Sequence, residues 1–195
     1  AGTQEATDLK PLTPVAGTPL LLRTLHSLET AGCSRAVIVV GYGMETVQAE
    51  IQDRYDGPLA LTFAINEHYD LQNGVSVLAA EPHVDQGPFL LIMADHVLGD
   101  TLMEKARRHR PPERGATLLV DHKLSTIFDM DDATKVRVEN GRPQSIGKRL
   151  DDYNCVDTGV FVATDGLMEA LSAVYAAKGD AALSDGIQRL MGEGR

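Results

Sequence analysis

Two residues that could act in binding or catalysis, Asp95 and His96, follow the apolar run of residues 90–94. Such a run is typical of a strand buried on both faces, and ligands of open α/β sheets bind at the carboxyl ends of strands. A carboxylate there would be desolvated without compensation unless it met a cation. Asp95 is therefore a candidate Mg²⁺ ligand, since this ion prefers one or two carboxylates with phosphate oxygens and water. The alternative is an Asp that caps the helix from about Thr101, and His96 fits a substrate contact or an ordinary histidine equally well.

Lys148 and Asp157 form a second candidate pair, nine residues apart in the sequence. Lys148 ends a strand-like segment, and Asp157-Thr158-Gly159 precedes another apolar run. A lysine can bind a phosphate and a carboxylate can accept hydrogen bonds from hydroxyl groups. The pair therefore fits a phosphorylated alcohol. The alternative is a surface ion pair, which contributes little to stability.

Lys10-Pro11-Leu12 precedes an amphipathic helical segment. A lysine at such a point can act as a compact charge against the phosphates of a nucleotide. Taken alone, the tripeptide is more often a solvated lysine before a turn.

Two further segments are candidates for binding the nucleoside. Gly41-Tyr42-Gly43 directly follows an apolar run, and Asn73-Gly74-Val75-Ser76 begins a helical pattern. Asn is a good helix cap, and an exposed helix start with an amide side chain could also read the edge of a base. The two interpretations of Asn73 are compatible.

These residues need a scaffold, and the sequence predicts one by alternating apolar runs with helical periodicity. Strands are predicted at residues 36–40, 59–65, 89–93, 116–120 and 160–162, with helices between them. Asn140-Gly141 predicts a hairpin between residues 134–138 and 145–147. The alternation predicts an α/β fold, a Rossmann-like three-layer sandwich with a mostly parallel central sheet. Residues 121–157 interrupt the alternation of strands and helices and are predicted to form an insertion over one edge of the sheet.

Charge and composition exclude some functions for this chain of 195 residues. Eighteen Lys and Arg against 28 Asp and Glu give a net charge of −10, which argues against a nucleic-acid partner. A small anionic ligand remains compatible, because few lysines and backbone N–H groups suffice to hold a phosphate. The sequence has no apolar run of membrane-spanning length and no secretory signal pattern. Cys33 and Cys155 fit no metal-ligand spacing and predict reduced thiols in a cytoplasmic protein.

Taken together and in order, these segments resemble the nucleotidyltransferase superfamily with the MobA-like, sugar-nucleotide pyrophosphorylase fold. Ala1-Gly2 resembles part of its Gly-rich loop, and Lys10-Pro11-Leu12 follows as in the family. Within the superfamily, four segments resemble the inositol-1-phosphate cytidylyltransferases: residues 91–96, 131–136, 146–150 and 156–161. Phosphocholine and aminoethylphosphonate cytidylyltransferases share the fold. The absence of Trp and only 5% aromatic residues weaken a choline assignment, because quaternary ammonium groups bind best against aromatic faces.

The resemblance implies roles for individual residues. Lys10, Asp95 and Lys148 would be catalytic, with Asp95 on Mg²⁺, Lys10 on the nucleotide phosphates and Lys148 on the acceptor phosphate. Nucleotide binding would involve Gly2, Lys10, Gly41, Tyr42, Gly43, Asn73, Gly74 and Ser76. Acceptor binding would involve His96, Lys135, Lys148, Asp157 and Thr158.

The resemblance also implies the reaction and the organisation of the chain. The expected reaction forms CDP-inositol and pyrophosphate from CTP and inositol 1-phosphate. The alternatives are another acceptor (a sugar 1-phosphate, phosphocholine, a phosphonate or molybdopterin) and a non-catalytic nucleotide-binding domain. Residues 1–195 are expected to form one domain, with residues 121–157 binding the acceptor. The family's first strand would lie before Ala1, and a second metal-binding aspartate would lie beyond Arg195. Fusion to a membrane phosphatidyltransferase and a homodimer are further expectations.

Overall fold

Helices alternate with strands throughout the computed structural model, which describes residues 9–127 and 129–195. The helices are α1 (Leu20–Thr30), α2 (Met44–Arg54), α3 (Asn73–Ala79), α4 (Asp100–Arg108), α5 (Asp165–Lys178) and α6 (Leu183–Gly192). The strands are β1 (Pro14–Val15), β2 (Thr18–Pro19), β3 (Arg35–Val40), β4 (Ala60–Ile65), β5 (Phe89–Ile92), β6 (Ala116–Asp121), β7 (Lys135–Glu139), β8 (Arg142–Gly147) and β9 (Cys155–Ala163). The α/β fold predicted from the alternation is confirmed.

Strand β9 organises a five-stranded sheet. It pairs with both β5 and β6, so that Ala163 lies opposite Phe89 on one side and Ala116 on the other. Both pairings are antiparallel, and β5 and β6 therefore run in the same direction. β7 pairs with the start of β9 and carries β8 on its other edge.

The direction of pairing differs from the expected mostly parallel sheet. Within residues 9–127 and 129–195, parallel pairing is found between β3 and β4, whereas the five-stranded sheet is antiparallel throughout. The apolar runs do not show whether strands pair parallel or antiparallel, because a strand covered on both faces has the same composition in either case.

The predicted hairpin is confirmed at Asn140-Gly141, where φ is 51° and 74° respectively. Positive φ at both central residues is what a two-residue hairpin turn requires. The hairpin of β7 and β8 continues the sheet through β9. Its strands are thus part of the same sheet that carries Asp157, instead of a layer lying over the sheet edge.

Two apolar clusters hold the helices against the strands. In the first, Phe161, Leu167 and Leu171 are at most 1% exposed and join β9 to α5 and α6. In the second, Leu25 and Ile51 pack α1 and α2 against β3. These clusters fix the strand ends from which the polar residues project.

A cavity of about 670 Å³, here called the edge cavity, lies between β3 and β5. Every residue from 34 to 39 and from 88 to 94 lines it, as do residues of α1 and α3. Alternate residues of a strand line a sheet face, whereas consecutive residues line a strand edge. The edges of β3 and β5 therefore face each other across this cavity.

Candidate active site

Asp95 and His96 lie in the loop after β5 and contact each other. His96 Nδ1 is 2.8 Å from Asp95 Oδ1, and both side chains are a little under half exposed. The hydrogen bond holds the pKa of the Asp95 carboxyl below its usual range and raises the pKa of His96 above its own. Each group thus favours the charged form of the other, and Asp95 keeps its carboxylate form at neutral pH.

Gly159 supports this pair from β9. Its φ of 73° suits glycine, and a Cβ there would come within 3.1 Å of His96 Cγ and Met93 Cβ. The Met93 N–H also donates to the Gly159 carbonyl over 2.9 Å. A glycine at this point therefore lets the loop that carries Asp95 and His96 lie directly on β9.

Asp157 lies inside β9, although the sequence placed it just before a strand. Its Oδ1 accepts a 2.6 Å hydrogen bond from the Gly159 N–H. Burial raises its pKa to about 6, while that hydrogen bond and the charge of His96 oppose the rise. The strand thus brings the Asp157 carboxylate, which can accept hydrogen bonds, close to the Asp95–His96 pair.

Replacing Asp157 with Asn is expected to flatten the pH dependence of stability. A folded pKa of about 6 against an ordinary 3.8 means that the folded state binds more protons, so stability falls as pH rises between these values. The integrated loss is about 3 kcal/mol. Asn keeps an oxygen for the Gly159 N–H. The free energy of unfolding of D157N should therefore rise by about 3 kcal/mol relative to wild type as the pH increases from 3.5 to 7.5.

The measurement is urea unfolding across that range. Asp151, which is exposed on the neighbouring loop, provides the matched variant D151N, whose pH profile should follow wild type. A D157N profile parallel to wild type would show that Asp157 titrates normally.

Lys148 directly follows β8 and forms an ion pair with Asp132, with Nζ 2.5 Å from Oδ1. Both side chains are exposed. The pKa of Asp132 is lowered by this hydrogen bond, and more weakly by the charge of Lys10, while the charge of Asp95 opposes the shift. Charges from three separate segments thus act on one carboxylate. Asp132 was missed as a site residue, although it belongs to the quoted segment 131–136.

Lys135 differs from the other lysines of the site because it is only 9% exposed. Its Nζ donates to the Lys148 carbonyl over 2.7 Å and lies 5.8 Å from the centre of the Tyr153 ring. The structure therefore places Lys135 beside Lys148, with its ammonium group engaged by the protein, and contact of Lys135 with the acceptor stays a prediction.

The predicted nucleoside segments surround the carboxyl end of β3. Gly41 and Gly43 bridge each other, Tyr42 is 75% exposed, and a Cβ at Gly43 would clash with the Leu9 side chain. The exposed Lys10 follows Leu9. The Gly41–Gly43 segment thus lies near Lys10, and nucleotide binding by these residues stays a prediction. Gly2 lies outside the described residues.

The segment that begins α3 has packing roles that the sequence did not indicate. Asn73 is the first residue of the helix and not its cap, and its Oδ1 accepts from the Leu183 N–H at the start of α6. A Cβ at Gly74 would lie 2.5 Å from the Ala181 carbonyl. Ser76 Oγ accepts from the amide of buried Asn66. These contacts anchor α3, and nucleotide binding by its residues stays a prediction.

Thr158 likewise has a structural contact. Its hydroxyl donates to the Leu119 carbonyl on β6 over 2.8 Å. A role for Thr158 in acceptor binding remains a prediction.

Asp95 suits a metal ion that is shared with phosphate groups. Within residues 9–127 and 129–195, no three His, Cys, Asp or Glu side chains are grouped to hold a metal by themselves. Asp95 is nevertheless charged, has one oxygen away from His96 and is half exposed. Mg²⁺ is commonly held by one or two carboxylates together with substrate phosphates, and this donor set fits it.

Comparison with known proteins identifies the family. The model of the MobA-like NTP transferase domain matches residues 6–183. The chain belongs to this family.

In the part that the structure describes, no helix is both long and apolar enough to cross a membrane.

The chain also resembles individual proteins over most of its length. It is 35% identical over 170 residues to a "Bifunctional IPC transferase and DIPP synthase" of Archaeoglobus fulgidus, covering 86% of this chain and 32% of that protein. The protein of the same description from Aquifex aeolicus is 34% identical over 174 residues, covering 85% and 38%. The chain thus spans about a third of the length of these relatives.

Among solved structures, the inositol-1-phosphate CTP transferase from T. maritima matches with a TM-score of 0.81 and 28% identity, covering 94% of this chain and 73% of that one. A UDP-glucose pyrophosphorylase matches with a TM-score of 0.72 at 13% identity. The second match concerns the fold alone. The nucleotide-diphospho-sugar transferase fold type expected from the sequence is thereby confirmed.

Proposed function

We propose that the chain transfers the cytidylyl group of CTP to inositol 1-phosphate, giving CDP-inositol and pyrophosphate. One observation carries this proposal: the loop that carries Asp95 and His96 lies directly on β9 at Gly159, and the Gly159 N–H donates to Asp157. The candidate metal ligand and the carboxylate assigned to the acceptor are therefore close neighbours. The similarity to an inositol-1-phosphate CTP transferase supports the choice of substrates.

The chemistry required of the side chains is mainly positioning and charge neutralisation. An oxygen of the acceptor phosphate attacks the α-phosphorus of CTP, a new P–O bond forms, and the bond to the pyrophosphate leaving group breaks. Both reactants are anionic, so their approach is unfavourable without cations. Lys10 would neutralise the nucleotide phosphates and Lys148 the acceptor phosphate.

Two further groups would orient the acceptor ring. The carboxylate of Asp157 can accept hydrogen bonds from ring hydroxyls, and His96 lies beside it at the carboxyl end of β5. Asp95 would hold Mg²⁺, which when bound offsets negative charge on the phosphates. Asp132 forms an ion pair with Lys148 in the structure, and an acceptor phosphate would compete with Asp132 for the ammonium group.

The test is a pyrophosphate-release assay with the purified chain, CTP and Mg²⁺. Release is expected with inositol 1-phosphate and not with glucose 1-phosphate, phosphocholine or 2-aminoethylphosphonate. Release with one of these other acceptors alone would overturn the substrate assignment. Nucleotide binding without release in any mixture would contradict an enzymatic role and favour a binding domain.

A further inference from the structure

We propose that Lys135 is a positioning residue that fixes Lys148 for the acceptor phosphate, and that Lys135 does not itself contact the substrate. The inference deepens the proposed function and rests on it for the identity of the acceptor. Its structural basis is the junction of β7, β8 and β9, where Lys135 contacts the backbone that carries Lys148.

The Lys135 ammonium group is committed to the protein. The side chain is 9% exposed, and its 2.7 Å hydrogen bond to the Lys148 carbonyl has the length of a charge-assisted bond. The Tyr153 ring lies on the same side chain, 5.8 Å from Nζ, within cation–π range. Reaching a substrate would require Lys135 to leave both partners.

The strand register explains why this contact matters for the acceptor. Lys135 lies opposite Gly147 on β8 and opposite Val156 on β9. Lys148 and Asp157 each directly follow one of these partners. Since neighbouring strands are about 4.8 Å apart, the backbones that carry the two acceptor residues are held roughly 10 Å apart, with Lys135 between them.

The backbone and the side chain of Lys148 are restrained differently. Its carbonyl accepts from buried Lys135, whereas its ammonium group meets only the exposed carboxylate of Asp132 among the contacts seen in the described residues. An exposed ion pair is weak and exchanges readily. Lys148 therefore has a fixed backbone and a side chain that can turn to a phosphate.

The sheet offers a matched contact that avoids the site. Gln188 on α6 donates to the Ile146 carbonyl over 2.9 Å, two residues before Lys148. Replacing Gln188 removes a side-chain hydrogen bond to this backbone segment, as replacing Lys135 does, but leaves the Lys148 carbonyl bonded.

The first experiment compares K135M and Q188L in steady-state kinetics. K135M is expected to raise the KM for inositol 1-phosphate about tenfold, since misplacing a binding group by a fraction of an ångström is costly, and to leave the KM for CTP within about twofold. K135Q, which keeps a donor, should show a smaller rise and serves if K135M does not fold. Q188L should match wild type. An unchanged KM for the acceptor in both Lys135 variants would overturn the proposal.

A double-mutant cycle separates positioning from direct contact. If Lys135 acts through Lys148, adding K135M to K148A should change kcat/KM for the acceptor by less than about twofold, because coupled residues are not additive. Additive losses would mean that Lys135 contacts the phosphate itself, which contradicts the proposal.

A second readout does not depend on turnover. Hydrogen exchange of the segment 147–154 should be about tenfold faster in K135M than in wild type and unchanged in Q188L. If wild type does not release pyrophosphate with inositol 1-phosphate, the proposed function fails, and the exchange data still decide whether Lys135 fixes Lys148. Unchanged exchange in K135M would refute the positioning role.

Discussion

Replacing Asp95 with Asn is expected to lower kcat for CDP-inositol formation by two to three orders of magnitude, about the loss seen when one charge-stabilising group is removed from an active site. Asn has the same shape and retains an oxygen for His96 Nδ1, which is 2.8 Å away in the structure. The negative charge is removed, and with it the donor best suited to Mg²⁺. Because this charge acts mainly in the transition state, the KM for CTP should change by less than about threefold.

The assay measures initial rates of pyrophosphate release over a range of Mg²⁺ concentrations. D95N should need more Mg²⁺ for half-maximal rate and should not reach the wild-type rate at saturation. Asp53 is exposed on α2, and D53N controls for the loss of one negative charge. Equal rates for D95N and wild type at saturating Mg²⁺ would remove Asp95 from the catalytic group.

The strand ends that carry the site were predictable from sequence because each follows a short apolar run. Asp95 and His96 illustrate this: the run before them forms β5, and the pair projects from its carboxyl end. The Asn140-Gly141 turn was predictable for a different reason, since two adjacent residues with positive φ select these residue types. Both signals are local in the sequence.

Contacts between distant segments were not predictable in this way. The sequence allows Asn73 to cap its own helix, to contact a base, or both, whereas its side chain accepts from the Leu183 N–H, 110 residues away. Asp157 was expected before a strand, but β9 begins at Cys155 and includes it. Polar residues within a strand weaken its apolar pattern, and only pairing with β6 and β7 identifies them as part of it.

The hydrogen bond from Lys135 to the Lys148 carbonyl is another contact that the sequence does not predict. Both lysines were predicted to contact the acceptor, and their chemical type is identical. Burial distinguishes them, because Lys135 is covered between β8 and β9 while Lys148 lies just past the end of β8. Two identical side chains thus differ in exposure and in partners because of the register of one strand.

An apolar strand joined ahead of Ala1 is expected to stabilise the protein by about 5 kcal/mol, because roughly six side chains gain about 1.5–3 kcal/mol each on burial against the entropy of ordering them. Among the strands of the described residues, β3 pairs with β4 alone and β5 with β9 alone, and we propose that the added strand would lie in the edge cavity, parallel to β3. Leu9 packs against Gly43, just past the end of β3. A strand running parallel to β3 would therefore end near Leu9.

The measurement is thermal and urea unfolding of the chain with and without an added segment of six Val, Ile and Ala residues. A gain of 5 kcal/mol corresponds to a rise in Tm of about 10–20 °C for a protein of this size. The control carries Pro at two central positions of the segment. Proline cannot donate to a ladder, and a strand between β3 and β5 must hydrogen-bond on both edges. A stabilisation that survives the two prolines would come from unspecific burial, whereas its loss ties the gain to strand pairing across the edge cavity.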